Sequence, residues 1–383
     1  MTPAARTQAA IDLLDAVTAA ARDEGAAADT LIARYFAQRR YAGSKDRRAV
    51  RELVYLAIRS LGERPANGRT AMLALAAADP DLAATFDGSV HGPAPIGRGE
   101  AKAATGILPR WLAERLTASG LDDAEQAALV GRAPLDVRVA AAPAPDIPGA
   151  EPIAGLPQAL RLPAGTDLAP YGAQVEPQDA GSQAVTLAAQ AAPGMTILDL
   201  CAGAGGKTLA LAAMMDERGR IIASDTDRGR LSRLPPRASR AGVSIVETLL
   251  LDPNREAEAL VDIAADVVLV DAPCSGTGTW RRNPEARWRL TPARLDRLVG
   301  VQARLLDLAA MHVRPGGALV HIVCSLLDAE GMEQVDTFLD RHPGWIAEPL
   351  ALPLGRPHGA GVRLTPAHDG SDGFFVARLR APC

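Results

Sequence analysis

Aromatic residues are scarce in this chain, at 3% of 383. Its elements must therefore pack through smaller side chains, and abundant alanine and proline point to close helix contacts and rigid loops. Cysteine is rare as well, with only Cys201, Cys274, Cys324 and Cys383. So few thiols in a chain this long make no disulfide framework, and without a CxxC pair or clustered Cys and His no zinc site is expected. They stand as individual thiols, buried or reactive. No run approaches the ~20 apolar residues that span a bilayer. The opening MTPAARTQAAIDLLDA carries acids within its apolar pattern, unlike a signal-peptide core. A soluble, cytoplasmic protein is the expectation. A basic excess is also missing: the net charge of −4 argues against indiscriminate nucleic-acid binding, which depends on Lys and Arg neutralising phosphates.

Local charge is less even than the total. Residues 34–51 hold Arg34, Arg39, Arg40, Lys45, Arg47, Arg48 and Arg51 against Asp46, and residues 281–297 hold six arginines against Glu285 and Asp296. Two basic patches on an acidic chain fit a restricted nucleic-acid footprint, or else two solvated helix faces. The length favours two domains, with a small third one possible. Apolar residues recur at helical spacing over 6–23, 29–39, 45–61, 107–118 and 122–131, with Ser44 placed to cap the third segment, and no strand is evident before residue 130. The first domain, 1–132, is therefore expected to be all-α.

Residues 133–139 (PLDVRVA) alternate like a strand, and seven prolines follow between Pro143 and Pro170. Such a run disfavours regular ladders, so 133–192 is expected to be connector, with a helix beginning near Asp179. From 193 to 383 strand and helix alternate. Strands are expected at 195–200, 219–224, 243–247, 266–270 and 317–323, with helices at 206–216, 227–241, 291–313 and 328–342. FFVARL at 374–379 reads as an edge or antiparallel strand. This pattern specifies an α/β fold, a doubly wound, mostly parallel sheet covered by helices on both faces.

After the strand MTILDL comes CAGAGGKTLALAAMM, a glycine-rich turn opening a helix where a doubly wound sheet binds nucleotides. GxxxxGK[ST] would need glycine where Cys201 stands, and GxGxxG would need it at Thr208. What remains is an adenosyl ligand without a pyrophosphate. Asp225, ending the next strand about twenty residues on, suits ribose hydroxyls, and Asp252, after a third strand, suits an adenine edge. The strand DVVLVD then delivers Asp271 and, three residues later, Cys274, while ALVHIVCS ends in Cys324 on an adjacent strand. Both thiols belong at one rim of the sheet, and the residues alone leave open which one attacks.

The segments ILDLCAGAGGKT, DAPCSGTG with RRNPE, and IVCSLLDAEG, in that order along the chain, resemble the Sun (RsmB-type) family of RNA cytosine-C5 methyltransferases. YAGSKDRRAVRELVY resembles the NusB-like domain of the bacterial rRNA enzymes in that family. The resemblance implies a class I methyltransferase domain preceded by a NusB-like one, with an abbreviated α/β insert in the 133–192 connector between them and S-adenosylmethionine as cofactor. It implies cofactor contacts at Cys201, Ala202, Gly203, Ala204, Gly205, Gly206, Lys207, Asp225, Asp252 and Asp271. It also implies Cys324 as nucleophile, Cys274 as the thiol that assists product release, and Asp271 against the cytosine. Arg47, Arg48, Trp280, Arg281 and Arg282 are candidates for RNA, as are Arg287 and Arg289. The expected partner is RNA, with 16S rRNA favoured by the N-terminal domain over tRNA, and the expected state is a monomer without metal or membrane. A catalytically silent RNA-binding factor is the alternative of another class, opposed by the joint presence of Asp271, Cys274 and Cys324. Three positions depart from the family pattern: Gly203-Ala204 replaces Ala-Pro, which should loosen the loop, and Val323 replaces a common Thr.

Overall fold

The computed structural model describes residues 1–23, 25–140 and 144–383. Pro143 of the proline run lies outside them. The chain divides into two compact units, Met1–Arg132 with Thr279–Thr291, and Ala133–Gly278 with Pro292–Cys383. No described helix is long and apolar enough to cross a membrane.

The first unit is helical, as its apolar spacing predicts: α1 (Pro3–Arg22), α2 (Ala28–Ala37), α3 (Ser44–Ser60), α4 (Gly68–Ala76), α5 (Pro80–Ala84), α6 (Arg110–Ala118) and α7 (Asp123–Ala128). Leu13, Leu14, Val17, Phe36, Val54, Ile58 and Met72 share its core. Small residues bring the helices close. A Cβ on Gly68 would strike the Ile11 carbonyl of α1, and Asp15 accepts the Gly68 N–H at 2.6 Å. Ser44 does not cap α3; it is the first helical residue, and Gly43 occupies the cap with no side-chain bond. α4, which the sequence reading passed over, is opened by Asn67 and Thr70 in a reciprocal capping box.

Residues 279–291 join this unit because their side chains complete helix ends whose terminal amides and carbonyls lack partners. Glu285 accepts the Ala28 N–H at 2.9 Å, at the start of α2. Arg287 donates to the carbonyls of Ile58 and Leu61 at 2.5 and 2.8 Å, at the end of α3. Each charge is of the sign the helix dipole favours at that end. Trp288 packs into the helical core and donates to Gly62 O at 3.1 Å, and Arg289 donates to Gly25 and Ala26. The expectation that 193–383 forms one contiguous domain thus fails at this loop.

In the second unit, the connector is built rather than loose. β1 (Leu135–Val139), β2 (Glu151–Pro152), β3 (Ala159–Leu162) and β4 (Val175–Pro177) form a four-stranded antiparallel sheet in the order β2-β3-β1-β4. The prolines are accommodated because β1 and β3, the central strands, contain none, while Pro152 and Pro177 fall on edge strands. Asp136 on β1 pairs with Arg161 at 2.8 Å and accepts the Ala180 N–H at 3.2 Å. That bond ties the small sheet to the start of α8 (Ala180–Thr186), which begins where expected and is capped by Asp179.

The remaining elements of this unit are β5 (Thr196–Asp199), α9 (Gly206–Met214), β6 (Arg220–Asp225), α10 (Arg228–Leu231), α11 (Leu234–Arg240), β7 (Val246–Leu250), α12 (Glu256–Leu260), β8 (Ala265–Asp271), α13 (Pro292–Ala310), β9 (Val313–Val323), α14 (Met332–Arg341), β10 (Ile346–Glu348), β11 (Arg356–His358), β12 (Gly361–Leu364), α15 (Pro366–Asp369) and β13 (Phe374–Arg380). Among the described residues they form a nine-stranded sheet in the order β11-β12-β13-β9-β8-β5-β6-β7, with β10 also on β13. β5 to β9 run parallel, and β13 runs antiparallel to β9. FFVARL is therefore antiparallel but interior, since β12 and β10 cover it. The helix expected over 227–241 is broken between α10 and α11, where Pro235 and Pro236 suit only a first helical turn. The chain runs outward from β5 through β7 and returns at β8, so the switch point lies between β5 and β8, where such sheets bind ligands.

The capping by Arg287 predicts its own test. Arg287→Ala should destabilise the protein by roughly 2–4 kcal/mol, from lost charge-assisted hydrogen bonds and the space left behind. Urea unfolding followed by tryptophan fluorescence measures it. A loss below about 0.5 kcal/mol, typical of a surface substitution, would contradict the assignment.

Candidate active site

Gly203 and Gly205, in the turn after β5, have φ of +56° and +84°, values that only glycine adopts without strain. A Cβ on either would collide, with the Arg230 guanidinium at Gly203 and with Leu234 at Gly205. The turn is held from outside. Asp225, ending β6, accepts the Gly203 N–H at 2.7 Å through one carboxylate oxygen and the Asp227 N–H at 2.7 Å through the other. Arg237 donates to the Ala204 carbonyl and is itself paired with Glu176 at 3.1 Å. These bonds oppose the looseness expected from Gly203-Ala204 in place of Ala-Pro.

Beneath the turn, Asp199 is buried and accepts the Thr208 hydroxyl at 2.7 Å. Burial pushes its carboxyl up to about 7, with the Asp271 and Asp225 charges adding to the effect and the Thr208 bond opposing it. Burial also pushes the Cys201 thiol up, reinforced by Asp199. Lys207, on the first turn of α9, reaches Asp271 Oδ2 at 2.7 Å. Burial works against its charge, but Asp271 outweighs it, and the ammonium is held above its ordinary value.

Across the switch point, Asp271 pairs in register with Ile322. The residues that follow β8 and β9 therefore leave the sheet side by side, and Cys274 Sγ lies 3.4 Å from Cys324 Sγ. The hydrogen bond with Cys324 is the largest influence on Cys274, followed by burial, and together they raise its thiol well above the ordinary value, so it carries its hydrogen at neutral pH. A cavity of about 470 Å³ opens here, with Cys201, Asp225, Asp271, Cys274 and Cys324 in its wall. Val323 is fully buried in the core under the sheet, so the hydroxyl that Thr would carry is replaced by apolar packing.

Residues 184–380 match the family model described as 16S rRNA methyltransferase RsmB/F. The chain belongs to the RsmB/F methyltransferase family. It is 37% identical over 243 residues to a probable ribosomal RNA small subunit methyltransferase B of Synechocystis, which covers 60% of this chain and 53% of that one. It is 38% identical over 216 residues to the enzyme of that name from Thermus thermophilus, covering 56% of this chain and 52% of the relative. The chain thus spans about half the length of these two curated relatives. Among solved structures it resembles PH0851 over 99% of both chains, with a TM-score of 0.74 and 23% identity, a likeness of fold. It also resembles NSun6 from Pyrococcus horikoshii with SFG, covering 59% of this chain and 58% of the other, with a TM-score of 0.51 and 28% identity. RsmB/F methyltransferases use S-adenosylmethionine, and the doubly wound sheet agrees with the class the motifs implied.

The structure separates the expected site residues. Cys201, Asp225, Asp271, Cys274 and Cys324 border one cavity; Ala202, Gly203, Ala204, Gly205 and Gly206 form the turn beside it, and Lys207 ties that turn to Asp271. Asp252 is exposed and does not line the cavity, whereas Leu251 and Glu256 do. Arg47 and Arg48 are exposed on α3 of the helical unit. Trp280 and Arg281 belong to that unit too, but Trp280 is fully buried and Arg281 is 8% exposed. With Arg287 committed to helix capping, these three are not surface contacts for RNA, and Arg282 is only half-buried. The sequence reading passed over Asp199, Arg230 and Glu256. Asp199 had a signal, as the acid ending the strand before the glycine turn, whereas Arg230 and Glu256 reach the cavity from the short helices α10 and α12, whose packing no local pattern records.

Asp199 gives a pH test. Its folded value lies above the ordinary 3.8, so folding favours the neutral form, and its contribution to stability is complete below about pH 4 and lost as pH rises through about 7. Asp199→Asn keeps an acceptor for Thr208 and cannot ionise. Its unfolding free energy, measured in urea, should rise relative to wild type between about pH 4 and 8. A difference independent of pH over that window would contradict the burial account.

Proposed function

We propose that this protein methylates carbon 5 of cytosine in RNA, with 16S rRNA as substrate. The pair of sulfurs 3.4 Å apart beside Asp271, at the carboxyl ends of two parallel strands, is the observation that supports this reading most directly. Carbon 5 of cytosine is a poor nucleophile. A thiolate bonded to carbon 6 pushes electron density onto carbon 5, and the chemistry therefore calls for one thiol that attacks and a second group that helps the attacker leave.

Cys324 takes the first role. Its sulfur forms the bond to carbon 6 while the electron pair of the 5,6 double bond shifts through the ring toward the nitrogen that Asp271 faces. Lys207 holds Asp271 Oδ2, leaving Oδ1 for the ring nitrogen and amino edge of the base, where a shared proton eases attack. Bound S-adenosylmethionine supplies an electrophilic methyl group. The residues present fit that cofactor: the backbone turn at Gly203 and Gly205 admits close approach, and each Asp225 oxygen, having accepted one backbone N–H, retains a lone pair for a ribose hydroxyl. After methylation, the carbon 5 proton passes to solvent in the open cavity, the electron pair of that C–H bond re-forms the 5,6 double bond, and Cys324 leaves carbon 6 as thiolate, to which the Cys274 thiol can donate a hydrogen bond. Cys274, in contact with the departing sulfur, assists this release. The exposed Arg47 and Arg48 on α3 offer phosphate contacts in the helical unit.

The two cysteines separate experimentally on RNA carrying the target cytosine. Cys324→Ala should abolish both methyl transfer and any covalent complex. Cys274→Ala should accumulate a methylated RNA–protein adduct that survives denaturing electrophoresis, and the double variant should match Cys324→Ala, because no adduct forms without the nucleophile. An adduct trapped by Cys324→Ala and absent from Cys274→Ala would reverse the roles.

A further inference from the structure

Glu330 has no place in the reaction just described, yet it sits under both thiols. It lies in a short 3₁₀ turn, Asp328–Glu330, between β9 and α14, and its side chain is fully buried. One carboxylate oxygen accepts the Ser275 N–H at 2.8 Å and the Gln302 amide at 3.0 Å. The other accepts the hydroxyls of Ser275 and of Ser325, the latter at 2.5 Å. Among the described residues no cation lies within ion-pair distance of it, so these neutral donors are what hold it in place.

The two serines have the same relation to the thiols. Ser275 follows Cys274 and Ser325 follows Cys324, and their hydroxyls are 3.1 Å apart. One carboxylate thus grips the residue after each cysteine. Around it, Gln302 also donates to the Pro273 carbonyl at 2.9 Å, fixing the other side of Cys274. Thr277 Oγ1 lies 3.2 Å from Ser325 Oγ and accepts the Leu326 N–H at 2.7 Å, fixing the other loop. A carboxylate taken from water and buried without a cation is costly unless its acceptor positions are filled. Here they are filled by the loops whose separation sets the distance between the sulfurs.

We propose that Glu330 is a positioning residue for the thiol pair: its carboxylate clamps the loops after β8 and β9 together and so fixes the spacing of Cys274 and Cys324. This inference rests on the reading of that pair as nucleophile and release group. A looser clamp leaves each thiol present but misplaced. The step that needs both at once, expulsion of Cys324 with Cys274 beside it, is affected most.

The test compares Glu330→Ala with Glu330→Gln in the full chain. Glutamine keeps one acceptor oxygen for Ser275 N–H and Gln302, and its amide can donate to serine hydroxyls that rotate to accept; alanine removes both arms. Hydrogen exchange should show Ser275 amide protection lost in Glu330→Ala and kept in Glu330→Gln. On RNA, release of the methylated adduct should slow by about a hundredfold in Glu330→Ala, the scale of an ångström of misplacement. It should stay near wild type in Glu330→Gln, with S-adenosylmethionine affinity unchanged in both. Protection retained in Glu330→Ala, release at the wild-type rate despite lost protection, or equal slowing in both variants would each overturn the clamp. If Glu330→Ala does not fold, Ser275→Ala and Ser325→Ala each remove one hydroxyl bond to Glu330 and leave the Ser275 N–H bond in place; slowed release with Ser275 protection kept is then expected, and release at the wild-type rate in both would overturn the clamp. A wild-type protein that forms no adduct would instead count against the thiol reading itself, and the exchange result would still report on the clamp.

Discussion

The pairing of β8 with β9 is the constraint on which the site depends. Because Asp271 stands opposite Ile322, both strands deliver their chemistry at the same rim, one as an acid followed three residues later by a thiol and the other as a thiol directly after the strand. A register slip by one residue would turn every side chain on a strand to the opposite face. Val267 to Val270 and Leu319 to Val323, apart from His321, are apolar and buried on both faces, so alternation of apolar and polar residues does not by itself fix the register. The Ala272 N–H to Ile322 O bond, at 2.9 Å, and the Gly278 N–H to Cys324 O bond, at 3.0 Å, carry the pairing beyond the strands into the loops.

Much of this was legible in the sequence. The strands from β5 to β9 were expected within a few residues, because short apolar runs ending in Asp or Cys and followed by glycine or proline leave few other readings. What escaped shares a physical cause. The hairpin of β11 and β12, and the strands β2, β3 and β4 that join the expected β1, lie in segments rich in proline and glycine, and the small sheet draws stability from distant partners such as Arg161 against Asp136. Local periodicity does not record such pairs. The clamp at Glu330 was hidden for the same reason, since its ligands come from residues 275, 302 and 325.

The loop 279–291 shows how proximity in sequence misleads. Its arginines follow the Cys274 motif closely, which suggested contact with RNA. The structure instead uses Glu285 and Arg287 to complete helices α2 and α3 and buries Trp288 in their core. Charge beside a catalytic motif is thus explained by the demand of helix ends for donors and acceptors. The cations Arg47 and Arg48 of α3, far from the motif in sequence, are exposed.

The central claim is the identity of the methylated atom. Purified protein incubated with S-adenosylmethionine carrying a labelled methyl group and with 16S rRNA, followed by digestion to nucleosides and mass spectrometry, measures it directly. The account predicts label in 5-methylcytidine, dependent on Cys324. Label on another nucleoside or another atom of cytidine, or 5-methylcytidine formed equally by Cys324→Ala, would contradict it.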